Sequence, residues 1–213
     1  DGVFVPQTNY EDPSTREAIV ADIVKVIEQY RNTKGILMWL LGNENNYGLY
    51  WSSFEIEALP KDDRYRARAV HLYTLYGESV DAIKGVDRRY PVGIANGDLQ
   101  FLDLVKAHVP NLDVMGTNVY RGVSSRDLFS RVWAELGIPV MYTEFGADAY
   151  NAKEEREDHV AQAYYLHGQW REIYDNAHGR GFTGNAIGGL IFQWSDGWWK
   201  HKQTENLEVH DTT

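Results

Sequence analysis

Two glutamates in similar surroundings are the residues of this sequence best placed to do chemistry together. Glu44 follows the apolar run ILMWLL and stands among three asparagines in GNENN, and Glu144 follows the apolar segment PVMYT. Two carboxyl groups facing one cleft are what acid/base and nucleophilic chemistry on a glycosidic bond requires. One must be protonated to donate to the leaving oxygen, and the other must be ionised to attack the anomeric carbon. Because GNENN is rich in turn formers, a plain surface turn is the alternative for Glu44.

The segments around these glutamates alternate between strand and helix patterns. The predicted strands, short and apolar without alternation, are 36–41, 91–95, 114–118, 139–143 and 187–192. The predicted helices are 14–31, 63–87, 99–108, 125–136 and 158–178. A capping box of Ser14 and Glu17 is predicted to begin the first helix. This alternation predicts an α/β fold with a parallel sheet covered on both faces.

Polar residues follow each predicted strand at the point where it ends. Such residues include Asn43 and Glu44, Asn118 and Tyr120, and Glu144. In a (β/α)8 barrel the active site is built at the carboxyl ends of the strands. The sequence therefore predicts that both glutamates face one site.

Four segments carry a resemblance to a known family. WLLGNE (39–44) and YTEFG (142–146) resemble the two glutamate signatures of clan A retaining glycoside hydrolases, especially the family 2 barrels of β-galactosidases and β-glucuronidases. GTNVYRG (116–122) resembles the sixth barrel strand of that clan, and LIFQWSDGWW (190–199) the eighth. The order and spacing of the four segments extend the resemblance over nearly the whole chain.

The resemblance implies a role for each matched residue. Glu44 is implied as general acid/base and Glu144 as nucleophile of a retaining hydrolase that cleaves β-glycosidic bonds by double displacement. Asn43 is implied to bind the sugar 2-hydroxyl, Tyr120 to contact the nucleophile, and Trp194 to form the floor of the sugar site. Aromatic faces pack against the C–H faces of sugar rings. Substrate contacts are therefore also expected from Trp51 and Trp198. A further substrate contact is expected from Asn118, at the end of its predicted strand.

The resemblance labels the five strands four to eight of a (β/α)8 TIM barrel. A complete barrel has eight strands in about 250 residues. We therefore expect residues 1–213 to form a single partial catalytic barrel domain of a larger glycosidase, an open arc of about five parallel strands with flanking helices. Exposed edges of such an arc favour self-association, and the isolated chain is expected to be inactive.

Composition limits the partners. The 213 residues carry a net charge of −10, which argues against a nucleic-acid partner, and no apolar run approaches the length of a membrane span. The chain has no cysteine, and its histidines form no metal-binding pattern, so no metal is expected. The segment 179–184, GRGFTG, follows a predicted helix rather than a strand and so is not a dinucleotide fingerprint. The expected partner is a β-linked carbohydrate, without cofactor.

Two other functions are compatible with the same residues. A transglycosylase acting on β-glucans would use the same two glutamates, with a second sugar in place of water. A non-catalytic glycan-binding barrel is the alternative from another functional class. The sequence does not identify the sugar, and Arg121 is the only basic residue expected near the site that could bind a glucuronide carboxylate.

Overall fold

The computed structural model describes residues 8–194, so Trp198 and the segment that follows it lie outside the described residues. The helices are α1 Pro13–Tyr30, α2 Phe54–Glu57, α3 Arg64–Val86, α4 Leu102–His108, α5 Leu128–Leu136 and α6 His159–Asp175. The strands are β1 Trp39–Leu41, β2 Val92–Gly97, β3 Val114–Val119, β4 Val140–Phe145, β5 Tyr150–Asn151, β6 Arg156–Glu157 and β7 Ala186–Ile191.

Five of these strands form one parallel sheet in the order β1-β2-β3-β4-β7. Each of the five coincides with a predicted strand, and helices α3 to α6 lie between them in the chain. The predicted α/β class and the five parallel strands are therefore confirmed, and the arc is compatible with part of a (β/α)8 barrel. No helix within residues 8–194 is long and apolar enough to cross a membrane.

The core lies between the sheet and its helices. Val92 and Ile94 of β2 are fully buried in one cluster with Leu72 and Val80 of α3. Further along the sheet, the ring of Tyr142 on β4 stacks on Phe129 of α5, with ring centroids 5.2 Å apart. This packing holds the strands in register, and their carboxyl ends therefore meet at one edge of the sheet.

The predicted start of α1 is wrong by one residue and in its cap. The helix begins at Pro13, and Asp12 is the N-cap: its carboxylate accepts from the backbone N–H groups of Ser14 and Thr15. Proline is favoured at this first position because it has no N–H to leave unpaired. The expected capping box of Ser14 and Glu17 is therefore replaced by an aspartate cap.

Two predicted helices begin later than expected, because residues ahead of them adopt left-handed backbone conformations. Phe101 has φ 63°, and α4 starts after it rather than at residue 99. Arg126 has φ 60°, and α5 starts at Leu128 rather than at residue 125. A left-handed residue cannot continue a right-handed helix, so each marks the end of the preceding loop.

Candidate active site

The register of the sheet brings the two glutamates to the same edge. Gly97 of β2 pairs with Asn118 of β3, and Asn118 pairs with Glu144 of β4. The backbone N–H of Glu44 donates to the carbonyl of Ala95 at 2.9 Å, which continues the pairing of β1 with β2 past the end of β1. Glu44 and Glu144 therefore stand at the carboxyl ends of their strands, as the sequence predicts.

Glu44 is held in a strained backbone conformation. Its φ of 52° places a residue with a side chain in the left-handed region, which costs about 1–3 kcal/mol. A one-turn 3₁₀ helix, Asn45–Tyr47, follows at once, and the N–H of Tyr47 donates to the carbonyl of Glu44 at 2.9 Å. The chain therefore turns away from the direction of β1 directly after Glu44.

The two asparagines after Glu44 stabilise this turn. The side-chain oxygen of Asn45 accepts from the N–H of Asn43 and from the hydroxyl of Tyr76, both at 3.0 Å. Asn46 is buried and bonds both backbone groups of Gly97, donating to its carbonyl at 3.0 Å and accepting from its N–H at 2.7 Å. The polar run after β1 is therefore largely structural, and it fixes Glu44 to the end of β2.

Asn43 belongs to a chain of side-chain hydrogen bonds across three strand ends. The amide nitrogen of Asn118 donates to the side-chain oxygen of Asn43 at 3.0 Å. The hydroxyl of Thr143 in turn donates to the side-chain oxygen of Asn118 at 2.7 Å. Asn118 is buried and Asn43 is exposed, so the chain runs from the sheet toward the surface where Glu44 lies.

Tyr120 links the two glutamates electrostatically. Its hydroxyl donates to Oε2 of Glu144 at 2.9 Å. Burial raises the pKa of Tyr120 above its ordinary value, and the hydrogen bond to Glu144 raises it further. The negative charges of Glu144, Glu44 and Asp148 add to the same effect. Tyr120 therefore remains a hydrogen-bond donor at neutral pH, and three carboxylates lie within electrostatic range of its hydroxyl.

Arg121, the basic residue that the sequence places near the site, is engaged by Asp98. Its guanidinium binds Asp98 through two nitrogens, with Nε donating to Oδ2 at 2.8 Å, and also donates to the carbonyl of Ser125 at 3.0 Å. Burial raises the pKa of Asp98, but the hydrogen bonds from Arg121 and from the backbone of Leu99 outweigh it, and the net pKa is lowered. The pairing with Asp98 joins residues 23 positions apart, so it depends on the fold and no local sequence pattern marks it.

The three tryptophans proposed from sequence end in different places. Trp194, three residues after β7, is fully exposed. Trp51 is 3% exposed, with its ring against Tyr10 and its Nε1 donating to Glu11 at 3.3 Å, so the structure places it in the core and not at the site. Trp198 lies outside the described residues. Within residues 8–194, no group of three His, Asp or Glu side chains is arranged to hold a metal ion.

Comparisons with known proteins identify the fold. No protein-family model matches the chain, and no curated protein matches it by sequence. Among solved structures, a β-glucuronidase from Bacteroides uniformis superposes with a TM-score of 0.61 at 15% identity, over 85% of this chain and 22% of that one. A GH2 β-galacturonidase from Eisenbergiella tayi bound to galacturonate gives a TM-score of 0.60 at 18% identity, over 91% of this chain and 33% of that one. The catalytic domain of a GH53 protein from Ignisphaera aggregans gives 0.58 at 14% identity, over 83% and 53%.

These similarities establish the fold, which the solved glycoside hydrolase structures share. The chain spans a third or less of the length of the glucuronidase and galacturonidase chains that it matches. Because the GH2 and GH53 structures superpose about equally well, the fold by itself does not select a substrate. Function has to be derived from the residues at the strand ends.

Proposed function

We propose that the chain carries the catalytic glutamates of a retaining β-glycosidase that hydrolyses O-glycosyl bonds. One observation carries the proposal: Glu44 and Glu144 lie at the carboxyl ends of β1 and β4 in one parallel sheet, and the hydroxyl of Tyr120 donates to Glu144. Carboxyl groups at strand ends of a glycoside hydrolase fold are suited to act on one bond between them. The similarity to a β-glucuronidase and a β-galacturonidase supports the same reaction class.

The reaction proceeds in two displacements. In the first, a carboxylate oxygen of Glu144 attacks the anomeric carbon, the bond to the leaving oxygen breaks, and the proton of Glu44 passes to that oxygen. In the second, Glu44 takes a proton from water, the water oxygen bonds to the anomeric carbon, and the bond to Glu144 breaks. Two inversions restore the original configuration, and both glutamates return to their starting protonation states.

The neighbouring side chains support this cycle. Tyr120 donates to Glu144, which stabilises the negative charge that returns to Glu144 as it leaves in the second displacement. Asn43, oriented by Asn118, offers its amide N–H group to the 2-hydroxyl of the sugar. Trp194 is exposed and supplies an aromatic face for the ring of the substrate.

The charge of the described site favours a neutral sugar over a uronate. The negative charges of Glu144 and Asp148 act on Tyr120, and the guanidinium of Arg121 is already bound to Asp98. A substrate carboxylate would meet these negative charges without a free cation from Arg121. The whole protein's preference for a galactoside, glucoside or mannoside over a glucuronide is therefore part of the proposal.

Removing each glutamate from the full-length protein tests the two roles. Glu144→Ala should nearly abolish turnover of aryl β-glycosides, and azide should restore it with a glycosyl azide of inverted configuration. Glu44→Ala should lose about 10²–10⁴-fold on natural glycosides but far less on dinitrophenyl glycosides, which need little protonation. Glu17→Ala, an exposed glutamate on α1, is the matched control and should match the parent.

Two outcomes would overturn the proposal. Identical responses of Glu44→Ala and Glu144→Ala to leaving group and azide would refute the assignment of roles. Binding of β-glycosides by the full-length parent without any hydrolysis would instead indicate a non-catalytic glycan-binding module.

A further inference from the structure

Three tyrosines lie in or against the segment that directly follows Glu44, and we call them the tyrosine strip. The tyrosine strip consists of Tyr47, Tyr50 and Tyr65. Tyr47 is 45% exposed and Tyr50 is 63% exposed, whereas Tyr65 is partly buried between helix and loop. Tyr47 and Tyr50 follow directly on the turn that holds Glu44, and Tyr65 lies in the first turn of α3.

Tyr47 is fixed against the end of β2. A Cβ atom on Gly97 would lie 2.2–2.8 Å from three ring carbons of Tyr47, so only glycine permits this approach. Asn46 bonds both backbone groups of Gly97, and the N–H of Tyr47 donates to the carbonyl of Glu44. One side of the ring therefore rests on the sheet, in a position set by the same turn that positions Glu44, while nearly half of the residue faces solvent.

Tyr65 is bonded to the turn that carries Tyr47. Its hydroxyl donates to the carbonyl of Asn46, and its ring centroid lies 5.8 Å from that of Phe101. Burial raises the pKa of Tyr47, and the nearby Asp98, Glu44 and Tyr65 raise it further. Burial also raises the pKa of Tyr65, and Tyr50 raises it further. Tyr47 and Tyr65 are therefore both joined to the turn that holds Glu44, and Tyr50 follows Tyr47 by three residues in the chain.

We propose that the tyrosine strip binds the leaving-group side of the substrate and that this leaving group is a second sugar ring. The inference rests on the proposed function, because the residue that protonates the leaving oxygen lies beside the leaving group. A rigid tyrosine with one exposed face offers an apolar surface for the C–H groups of a pyranose and a hydroxyl for its rim. The strip thus offers aromatic contacts close to Trp51, which is itself buried in the core.

Binding to an inactive form of the full-length protein tests the strip without turnover. In the Glu144→Gln background, calorimetry would compare lactose and cellobiose with methyl β-galactoside and methyl β-glucoside. Tyr47→Ala and Tyr50→Ala should each weaken disaccharide binding by about tenfold, the value of one aromatic contact, and leave methyl glycoside binding within about twofold. Tyr47→Phe keeps the ring and should keep the affinity.

The control is Phe182→Ala. Phe182 is 71% exposed and precedes β7, so it lies toward the opposite end of that strand from the site. Three results would overturn the inference. The tyrosine variants could lose equal affinity for disaccharides and methyl glycosides, or lose affinity for neither. The protein could also fail to bind disaccharides at all. Absence of hydrolysis by the parent would instead overturn the proposed function, while the binding comparison would still decide whether the strip holds a second sugar.

Discussion

The hydrogen bond between Tyr120 and Glu144 is the contact at residue scale that matters most for the proposed chemistry. Its length is 2.9 Å, and the raised pKa of Tyr120 keeps the hydroxyl protonated at neutral pH. A hydrogen bond to a charged group contributes about 1.5–3 kcal/mol. Because this bond stabilises the charge that returns to Glu144 as it leaves in the second displacement, Tyr120→Phe should lower kcat for an aryl glycoside by about ten- to hundredfold, measured on the full-length protein.

Tyr164→Phe is the control for this substitution. Tyr164 is an exposed tyrosine on α6, and loss of its hydroxyl should leave kcat within about twofold. The unfolding midpoint of both variants should match that of the parent. An unchanged kcat in Tyr120→Phe would show that the hydroxyl does not serve the reaction.

The positions of the glutamates at strand ends were predictable from the sequence, but the orientations of the polar side chains around them were not. An apolar strand that runs into a polar turn places that turn at the sheet edge, which is why Glu44 and Glu144 were predictable. Asn46 looks the same as Asn43 in sequence, yet it is buried and bonded to Gly97, which is 51 residues away. Trp51 is another example, since its contact with Tyr10, just ahead of α1, depends on how α1 packs against α3. Contacts between residues far apart in the chain determine which side chain faces the ligand.

At the scale of elements, the two glycines of α3 have different surroundings. A Cβ on Gly77 would lie 2.1 Å from the carbonyl oxygen of His108, where α3 meets the end of α4. A Cβ on Gly85 would meet nothing within 4 Å. Gly77→Ala should therefore destabilise the protein by about 1–3 kcal/mol through overpacking, and Gly85→Ala should stabilise it by about 0.5–1 kcal/mol through helix propensity.

Denaturant unfolding of the two alanine variants checks this pair. The substitutions are chemically identical and lie in one helix, so each is the control for the other. Equal changes in the free energy of unfolding would contradict the close approach of α3 to α4.

The aspartate cap of α1 gives a pH dependence with a defined sign. Hydrogen bonds from the side chains of Thr15 and Ser14 lower the pKa of Asp12 from 3.8 to about 2, with the backbone N–H groups of both residues contributing. Because the pKa is lower in the folded state, the stabilisation is complete above about pH 4 and is lost as the pH falls through about 2. Asp12→Asn keeps a capping oxygen but does not titrate.

Thermal unfolding of parent and Asp12→Asn between about pH 5 and pH 2 measures this effect. The advantage of the parent should shrink as the pH falls across that range. A constant difference between the two midpoints would show that the cap does not depend on the charge of Asp12.

The elements themselves were predictable more accurately than their ends. Continuous apolar runs gave all five strands of the main sheet, because a parallel strand is buried on both faces. The helix starts were shifted by the cap at Asp12 and by left-handed residues such as Phe101 and Arg126. A non-glycine residue adopts that conformation only where tertiary contacts compensate, so no local pattern marks it.

At the scale of the whole molecule, the sheet described within residues 8–194 has two edges, β1 and β7. Strand β7 carries exposed apolar side chains, among them Ile187 at 55% and Leu190 at 53%. An edge strand offers unpaired backbone groups to another chain, and apolar side chains beside it strengthen that contact. The sheet edges are therefore the surfaces through which copies of the chain are expected to associate.

We expect the 213-residue chain, prepared by itself, to self-associate through β7 in a concentration-dependent way. Leu190→Lys should shift the distribution toward monomer, because a lysine on an edge strand opposes pairing and cannot be buried without cost. Val160→Lys is the matched control: Val160 is also an exposed apolar residue, but it lies on α6 and not on the edge strand, so its substitution should leave the distribution unchanged. Sedimentation velocity over a range of concentrations distinguishes these outcomes. A parent chain that stays monomeric at every concentration would show that the β7 edge is satisfied within one molecule. Equal effects of the two lysine substitutions would show that added surface charge, and not the β7 edge, controls the association.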